Sequence, residues 1–271
     1  MQEEINKEWM DEYEKSYSLY KTEWDFHYDN VREFILSCLP MRTNHWAFIG
    51  VTNRIPEFDD KILNRVTNIT LLDINQEALK RARLHLNYVY EFKDVEVQLF
   101  DNTLGYVNQI CEVFEKFEQG EFSEKKLLEA LADLELPEIK YDGDRYDLVS
   151  HLGIMDYYLM PLFTRFCPRF NKNSQAFFEI MQKLNDDSVK ITLQVLEKML
   201  NKSGQLIIST PVERFPEGEE CKRSLFWLKS LEEHIESTGL VITKKTTHLW
   251  KEYPTKDGHS HTILNICCKK E

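Results

Sequence analysis

Residues 69–84, ITLLDINQEALKRARL, carry the most informative pattern in this chain. The first four residues of this stretch predict a short buried strand, because apolar and β-branched side chains dominate them. Asp73 ends that strand, and the pattern of a helix begins within three residues. This order places a carboxylate at the carboxyl edge of a parallel sheet, where doubly wound α/β proteins contact the hydroxyls of a ribose. Asp73 is therefore the first candidate binding residue.

Four other segments have the same strand character, at residues 46–51, 95–100, 146–150 and 205–210. Asp101 ends the third strand in chain order, as Asp73 ends the second, and the repetition supports both assignments. Apolar residues at helical spacing predict helices at residues 59–66, 76–92, 104–135 and 174–200. Strands that alternate with helices indicate a parallel sheet covered on both faces.

The carboxyl-terminal region has a different pattern. A helix is expected at residues 219–238, closed by Gly239, and is followed by strands at 240–250 and 262–268 with Asp257-Gly258 as the turn. Ser123 is expected to begin a second helical piece within 104–135, and Gly204 to end the helix at 174–200. The predicted fold class is α/β, a doubly wound, mostly parallel, seven-stranded sheet with a C-terminal antiparallel hairpin.

The amino-terminal region reads as helical over residues 5–38, with aromatic side chains on one face. We expect residues 1–42 to form a helical lid, residues 43–271 to form the main domain, and residues 104–140 to be a helical insertion at the rim of the sheet. The aromatic positions of the first region are Trp9, Tyr13, Tyr17, Tyr20, Trp24 and Tyr28.

Composition narrows the classes of partner. The 271 residues carry a formal net charge of −12, which argues against a sequence-independent grip on nucleic acid. The six cysteines form no CxxC pair, so neither a zinc knuckle nor a redox dithiol is predicted. No apolar run approaches the length that crosses a membrane. We expect a cytoplasmic protein with no membrane partner.

With this order of elements, residues 46–271 resemble the class I S-adenosylmethionine-dependent methyltransferases, whose fold is Rossmann-like. The resemblance rests on the strand at 46–51, on Asp73, on Asp101-Asn102, on two further segments and on the terminal hairpin. The two segments are YDLVSHLG at 146–153 and SGQLIIST at 203–210. It implies S-adenosylmethionine as cofactor and S-adenosylhomocysteine as product.

The resemblance also implies cofactor contacts. In the family, the residue matching Asp73 binds the ribose hydroxyls and the residue matching Asp101 meets the adenine amino group. The family's glycine-rich loop is replaced here by GVTNRIP at 50–56, in which only Gly50 is a glycine. Both aspartates retain an alternative role as helix caps. The expected cofactor-binding residues are Gly50, Thr52, Asn53, Asp73, Ile74, Asp101, Asn102 and His151.

Substrate and methyl donor meet after the fourth strand in this family, so His151, Asp156 and Tyr157 are the expected catalytic residues. Histidine titrates near neutral pH, and an aspartate in a dry pocket can act as a base or orient an ammonium group. The alternative is that these side chains pack or cap turns. The expected substrate contacts are Tyr20, Trp24, His27, Tyr28, Tyr158 and Glu213, although aromatic residues at helical spacing also form cores.

The predicted function is methyl transfer to a nitrogen or oxygen of a small molecule or peptide, and the acidic, aromatic first region favours an amine. Two alternatives stay open, a binding or regulatory protein that has lost methyl transfer, and an enzyme that moves another group from S-adenosylmethionine. A homodimer is also open. No metal is expected, since His259 and His261 lack a third ligand.

Overall fold

A computed structural model describes residues 15–51, 55–153, 155, 158–170, 174–216, 223–225, 229–251 and 259–270. The described helices are α1 (Lys21–Cys38), α2 (Asp60–Leu63), α3 (Gln76–Val89), α4 (Tyr106–Glu118), α5 (Glu124–Ala132), α6 (Met160–Phe166), α7 (Ser174–Met199) and α8 (Leu231–Glu236). The described strands are β1 (Thr43–Ile49), β2 (Val66–Asp73), β3 (Val95–Leu99), β4 (Tyr146–Leu152), β5 (Leu200–Pro216), β6 (Arg223–Ser224), β7 (Leu240–Lys251) and β8 (His259–Lys270).

The strands form one mixed sheet in the order β3-β2-β1-β4-β5-β8-β7. Strands β1 to β5 are parallel, and β8 lies antiparallel between β5 and β7. This confirms the predicted seven-stranded path and its terminal hairpin, and β6 is an additional two-residue strand on β5. From β1 the chain adds β2 and β3 on one side and then β4 and β5 on the other, so the strand order reverses between β1 and β4. Open α/β sheets bind ligands at such a switch point.

Both faces of the sheet are buried, as the apolar strands predict. On β1, Trp46 and Phe48 pack with the apolar side chains of α1, α2 and α3 on one face, whereas Ala47 and Ile49 pack with those of α4 to α8 on the other. The second face contains stacked rings, including Phe170 and Phe177 with centroids 4.2 Å apart. The two cores hold the strand ends in place and so position the candidate site.

Besides covering part of one sheet face, helix α1 packs against the terminal hairpin. Trp24 and Tyr28 are 4% and 5% exposed, and they form a small core with Trp250 of β7 and Ile263 of β8. The rings of Trp24 and Trp250 meet edge to face at 4.6 Å. The first and last parts of the described chain are therefore joined by aromatic packing.

Two sequence predictions in the carboxyl half were wrong. Gly204 does not cap a helix, because α7 ends at Met199 and β5 begins at once. A Cβ on Gly204 would lie 2.9 Å from the Tyr146 carbonyl oxygen, so glycine here permits the close approach of β4 and β5.

The helix predicted at 219–238 is confirmed only at its end, since residues 223–224 are a strand and α8 is Leu231–Glu236. Ser230 begins α8 with a capping box, in which its hydroxyl accepts from Glu233 N and the Glu233 carboxylate accepts from Ser230 N. Residues 219–222 and 226–228, and the turn Asp257-Gly258, lie outside the described residues. The predicted cap Ser123 is confirmed, since its hydroxyl accepts from Lys126 N at 3.3 Å.

Candidate active site

Asp73 joins the ends of two structural elements at the carboxyl edge of the sheet. Its Oδ2 accepts a hydrogen bond from Val51 N at 2.9 Å, and its Oδ1 accepts from Asn75 N at 2.7 Å. Asn75, and not Asp73, is the N-cap of α3, because its side chain accepts from the N–H groups of Glu77 and Ala78. Three backbone N–H groups act on this carboxylate, from Asn75, Val51 and Ile74, which leaves acceptor capacity for a ligand hydroxyl.

Burial makes the Asp73 carboxylate costly to ionise. Burial raises the pKa of Asp73 to about 6, against the lowering effect of the backbone N–H groups that it accepts. Ile74, the next residue, is 42% exposed and presents an apolar side chain at the same edge. The Asp73 carboxylate can accept from a sugar hydroxyl, and the Ile74 side chain can contact an apolar ring beside it.

The loop after β1 begins with a conformation that glycine favours. Gly50 has φ +79°, and nothing lies within 4 Å of a Cβ built on it, so the backbone borders open space. Its N–H donates to Leu72 O at 3.1 Å, which keeps the loop against β2. Thr52 and Asn53, which were predicted to bind cofactor, lie outside the described residues.

Asp101 organises the turn between β3 and α4. Its Oδ1 accepts from the N–H and the hydroxyl of Thr103 at 2.8 and 2.6 Å, and its Oδ2 accepts from Gly105 N at 2.9 Å. The helix-cap role that the sequence left open is not present, because the N-cap of α4 is Gly105 and no side chain caps it; Asp101 instead closes the turn before the helix. One acceptor position on Oδ2 is available to a ligand amino group.

Four polar side chains from three parts of the chain meet beside β4. Asn102 Nδ2 and the Thr192 hydroxyl both donate to the phenolic oxygen of Tyr158, at 2.8 and 3.2 Å. His151 Nε2 lies 3.3 Å from the same oxygen. The sequence indicated Asn102, His151 and Tyr158 separately, but Thr192 on α7 was missed, since a threonine within an amphipathic helix gives no signal of its own.

His151 is neutral at physiological pH. It is 5% exposed, and burial lowers its pKa to about 4. Its Nδ1 is buried and has no hydrogen-bond partner among the described residues. The residue's own backbone acts in the opposite direction, with a smaller effect on the pKa than burial has. Asp156 and Tyr157, the other predicted catalytic residues, lie outside the described residues.

The predicted aromatic substrate contacts lie at the interface between α1 and the hairpin. His27 stacks on Trp250 with ring centroids 4.5 Å apart, and its Nδ1 is 3.0 Å from His248 Nε2. Burial, with a smaller contribution from His248 and His261, holds the pKa of His27 well below its usual range. Tyr20 is half-buried beside this aromatic core.

A polar chain continues from His27 into the sheet. Asn265 Nδ2 lies 3.1 Å from His248 Nδ1, and the Ser209 hydroxyl donates to Asn265 Oδ1 at 2.7 Å. Burial lowers the pKa of His248 to about 4. The sequence analysis missed His248, Trp250 and Asn265, although strand alternation could have placed His248 and Trp250 on one face of β7.

Glu213 lies on the opposite face of the hairpin from His27. It pairs with Thr262 of β8, whose hydroxyl donates to Glu213 Oε2 at 2.8 Å. The two residues line an open groove of about 470 Å³, which also contacts α8 and the polar side chains of β7. Glu213 and the α1 aromatics therefore cannot enclose one pocket in this arrangement.

A buried carboxyl that the sequence analysis did not single out follows the β1 loop. Glu57 is 4% exposed, and its Oε2 has no hydrogen-bond partner among the described residues. Burial raises the pKa of Glu57 to about 7, against its own backbone N–H and the Arg32 guanidinium. Arg32 also donates to the Pro56 carbonyl, which ties α1 to this loop.

The structure also bears on metals and membranes. Across the described ranges, no three histidine, cysteine, aspartate or glutamate residues are grouped so that they could hold a metal ion. Among the helices in those ranges, none is long and apolar enough to cross a membrane.

Solved structures share this topology. No protein-family model matches the sequence, and no curated protein does. The chain is similar to the 1,6-didemethyltoxoflavin-N1-methyltransferase of Burkholderia thailandensis, solved with 1,6-didemethyltoxoflavin and S-adenosylhomocysteine bound. The identity is 9% and the TM-score 0.50, over 98% of this chain and 87% of that chain. A Bacillus halodurans protein, assigned provisionally as a methyltransferase, matches with 9% identity and a TM-score of 0.51, over 90% of this chain and all of that chain (100%). The chain has the class I methyltransferase fold.

The methyltransferase fold places several predicted residues at one edge. Gly50, Asp73, Asp101 and Asn102 all follow the carboxyl ends of β1, β2 and β3, and His151 lies at the carboxyl end of β4. These are the strand ends that surround the switch point between β1 and β4.

Proposed function

We propose that the protein is an S-adenosylmethionine-dependent methyltransferase that acts on a nitrogen or oxygen of a small molecule or peptide, with an amine favoured. The observation that carries the proposal is the Asp73 carboxylate, which is fixed between β1 and α3 at the ligand edge of a methyltransferase fold. The carboxylate is fixed before any ligand arrives, so binding does not require it to be ordered.

The residues present fit the cofactor. In this proposal Asp73 accepts hydrogen bonds from the ribose hydroxyls, and Asp101 and Asn102 contact the adenine. Gly50 leaves open space beside the backbone, which a closely bound ligand requires. S-adenosylmethionine, when bound, supplies a methyl group on a positively charged sulfur. The cofactor and the residues that hold it in this protein are part of the proposal.

The chain's own residues then have to align the acceptor, exclude water and manage its proton. His151, which is buried, and Tyr158, which is partly buried, form part of a polar wall next to β4. Helix α1 carries more acidic than basic side chains, although Asp25 pairs with Lys21 and Asp29 with Arg32, so its net charge is negative. This negative charge favours an amine over an acidic acceptor, because opposite charges raise the rate of encounter.

The proposal is tested by titrating the purified protein with S-adenosylhomocysteine in a calorimeter, for the wild type, Asp73→Ala and Asp94→Ala. Asp94 is exposed at the amino end of β3, so its variant removes a carboxylate from the opposite edge of the sheet. We expect Asp73→Ala to weaken binding about 10- to 100-fold, because hydrogen bonds to a charged group contribute about 1.5–3 kcal/mol. Thermal unfolding checks that each variant is folded.

The same titration separates the proposal from a second candidate. A binding or regulatory protein without methyl transfer is favoured by one observation, the internal hydrogen bonds that already engage both oxygens of Asp73 and Asp101. Absence of binding by the wild type would support that candidate. Equal affinity of the wild type and Asp73→Ala would remove the central observation, and product mass distinguishes methyl transfer from transfer of a larger group.

A further inference from the structure

The hydrogen-bond directions around Tyr158 decide how His151 is protonated. Two donors, Asn102 Nδ2 and the Thr192 hydroxyl, point at the phenolic oxygen of Tyr158. A third donor would exceed the two lone pairs of that oxygen. The contact to His151 Nε2 at 3.3 Å is therefore made by the phenolic O–H as donor.

A neutral imidazole has one accepting nitrogen and one N–H. Since Nε2 accepts from Tyr158, the proton of neutral His151 lies on Nδ1. That atom is buried and makes no hydrogen bond of normal geometry among the described residues; the residue's own backbone is near enough only to oppose the fall in pKa. A buried donor without a partner is costly, and a folded protein tolerates few of them. The Nδ1–H of His151 lies at the carboxyl end of β4, which is the edge where this kind of sheet binds ligands. A ligand at that edge could supply the missing acceptor.

We propose that Asn102, Thr192 and Tyr158 are positioning residues that hold His151 in the Nδ1–H form, and that this N–H binds a carboxylate or carbonyl oxygen of a ligand at the edge of β4. The inference deepens the proposed function, on which its ligand half rests. It assigns His151 the role of a hydrogen-bond donor, in place of the proton acceptor that the sequence suggested. The oxygen belongs either to the carboxylate of the cofactor or to the methyl acceptor.

The first experiment needs no ligand. The ring nitrogens of His151 in the ¹⁵N-labelled protein are observed by NMR at pH 8 and assigned with His151→Gln. We expect Nδ1 to have the chemical shift of a protonated, pyrrole-type nitrogen and Nε2 that of an unprotonated, pyridine-type nitrogen. A wild-type protein with the proton on Nε2 would overturn the proposal.

A single isosteric change should reverse this pattern. In Asn102→Asp, the new carboxylate accepts from the Tyr158 O–H, so the phenolic oxygen becomes free to accept from His151 Nε2. We expect the pyrrole-type shift to move from Nδ1 to Nε2. Asn108→Asp, at an exposed position of α4, adds the same charge and should leave both shifts unchanged. A purely structural role for Asn102 predicts no exchange of the two shifts, and this result would refute the positioning role.

The second experiment identifies the oxygen. S-adenosylhomocysteine and 5′-methylthioadenosine are added separately, because only the first carries a carboxylate. Movement of the Nδ1–H resonance with the first compound alone assigns the oxygen to the cofactor. If neither compound moves it, acetate and acetamide are added to the S-adenosylhomocysteine complex, with methylammonium as the control. Movement with either oxygen probe, and not with methylammonium, assigns it to the acceptor.

A resonance that responds to none of these oxygen-bearing probes overturns the ligand half of the proposal. This failure is distinguishable from failure of the proposed function. Calorimetry reports directly whether S-adenosylhomocysteine binds, whereas the proton position in His151 is read from the ligand-free protein. If the cofactor does not bind, acetate and acetamide are tested on the ligand-free protein with the same criterion.

Discussion

Acid should destabilise this protein through His151, and replacing that residue should remove a defined part of the effect. In the folded protein burial lowers its pKa to about 4, whereas an unfolded histidine titrates near pH 6.5. The unfolded state therefore binds the proton more readily. The stability that depends on neutral His151 is complete above pH 6.5 and is lost as the pH falls towards 4.

The size of the effect follows from the two pKa values. A difference of about 2.5 pKa units corresponds to about 3.4 kcal/mol once the pH is below both values. Between pH 7 and pH 5 the same linkage gives about 1.8 kcal/mol of lost unfolding free energy. Solvent screening reduces this little, because the side chain is 5% exposed.

The assay is urea unfolding followed by tryptophan fluorescence at pH 7 and pH 5, for the wild type and His151→Gln. Glutamine does not titrate, and its amide oxygen can accept from Tyr158 in place of Nε2. We expect the variant to lose about 1.8 kcal/mol less than the wild type between the two pH values. Asp73 and Glu57 have raised pKa values and so act in the opposite direction, but they are present in both proteins and cancel in the comparison.

His45→Gln, which removes an exposed imidazole from β1, is the matched control. If the wild type and His151→Gln lose the same free energy between pH 7 and pH 5, His151 is not held neutral by burial. The assignment of its proton to Nδ1 would then lose its basis.

Three further variants test the packing by urea unfolding. Gly204→Ala should cost about 1–3 kcal/mol, because its Cβ would meet the Tyr146 carbonyl at 2.9 Å; an unchanged midpoint would show that β5 can shift away. Trp250→Ala should cost about 3–5 kcal/mol and expose α1 to protease, since Trp24 packs on that ring; unchanged proteolysis would mean that α1 is held elsewhere. Asp101→Asn should cost about 1–3 kcal/mol, because an amide NH₂ replaces one of the two accepting oxygens. An equally stable variant would mean that water satisfies the N–H group that loses its acceptor.

The order of elements could be predicted because it depends on local pattern. Residues 69–84 contain an apolar strand, an acid and a helix within one short stretch, and the structure has β2 ending at Asp73 and α3 starting at Gln76. Periods of 2 and 3.6 residues reflect which side chains can share a face, and this is a property of neighbouring residues. The resemblance to a methyltransferase rested on the same ordered set.

The predictions failed where distant backbone decides the structure. Gly204 has the local signature of a helix cap, but its role is set by the Tyr146 carbonyl of the neighbouring strand. Residues 223–224 lie in a stretch with helical spacing, yet they pair with β5. Strand pairing satisfies backbone hydrogen bonds across the sheet, and it overrides weak local helix propensity.

Local sequence pattern was enough to predict the strands, most of the helices and the acids at the strand ends. Which of these side chains meet depends on the packing of distant elements. His27 and His248 are 221 positions apart in sequence, and Asn102 and Tyr158 are 56 apart, yet each pair is within hydrogen-bonding distance. Such contacts depend on how two faces of a sheet are covered, and no local period encodes that. The proton on His151 is decided in the same way, by the two donors, Asn102 and Thr192, that separate parts of the chain bring to the phenolic oxygen of Tyr158.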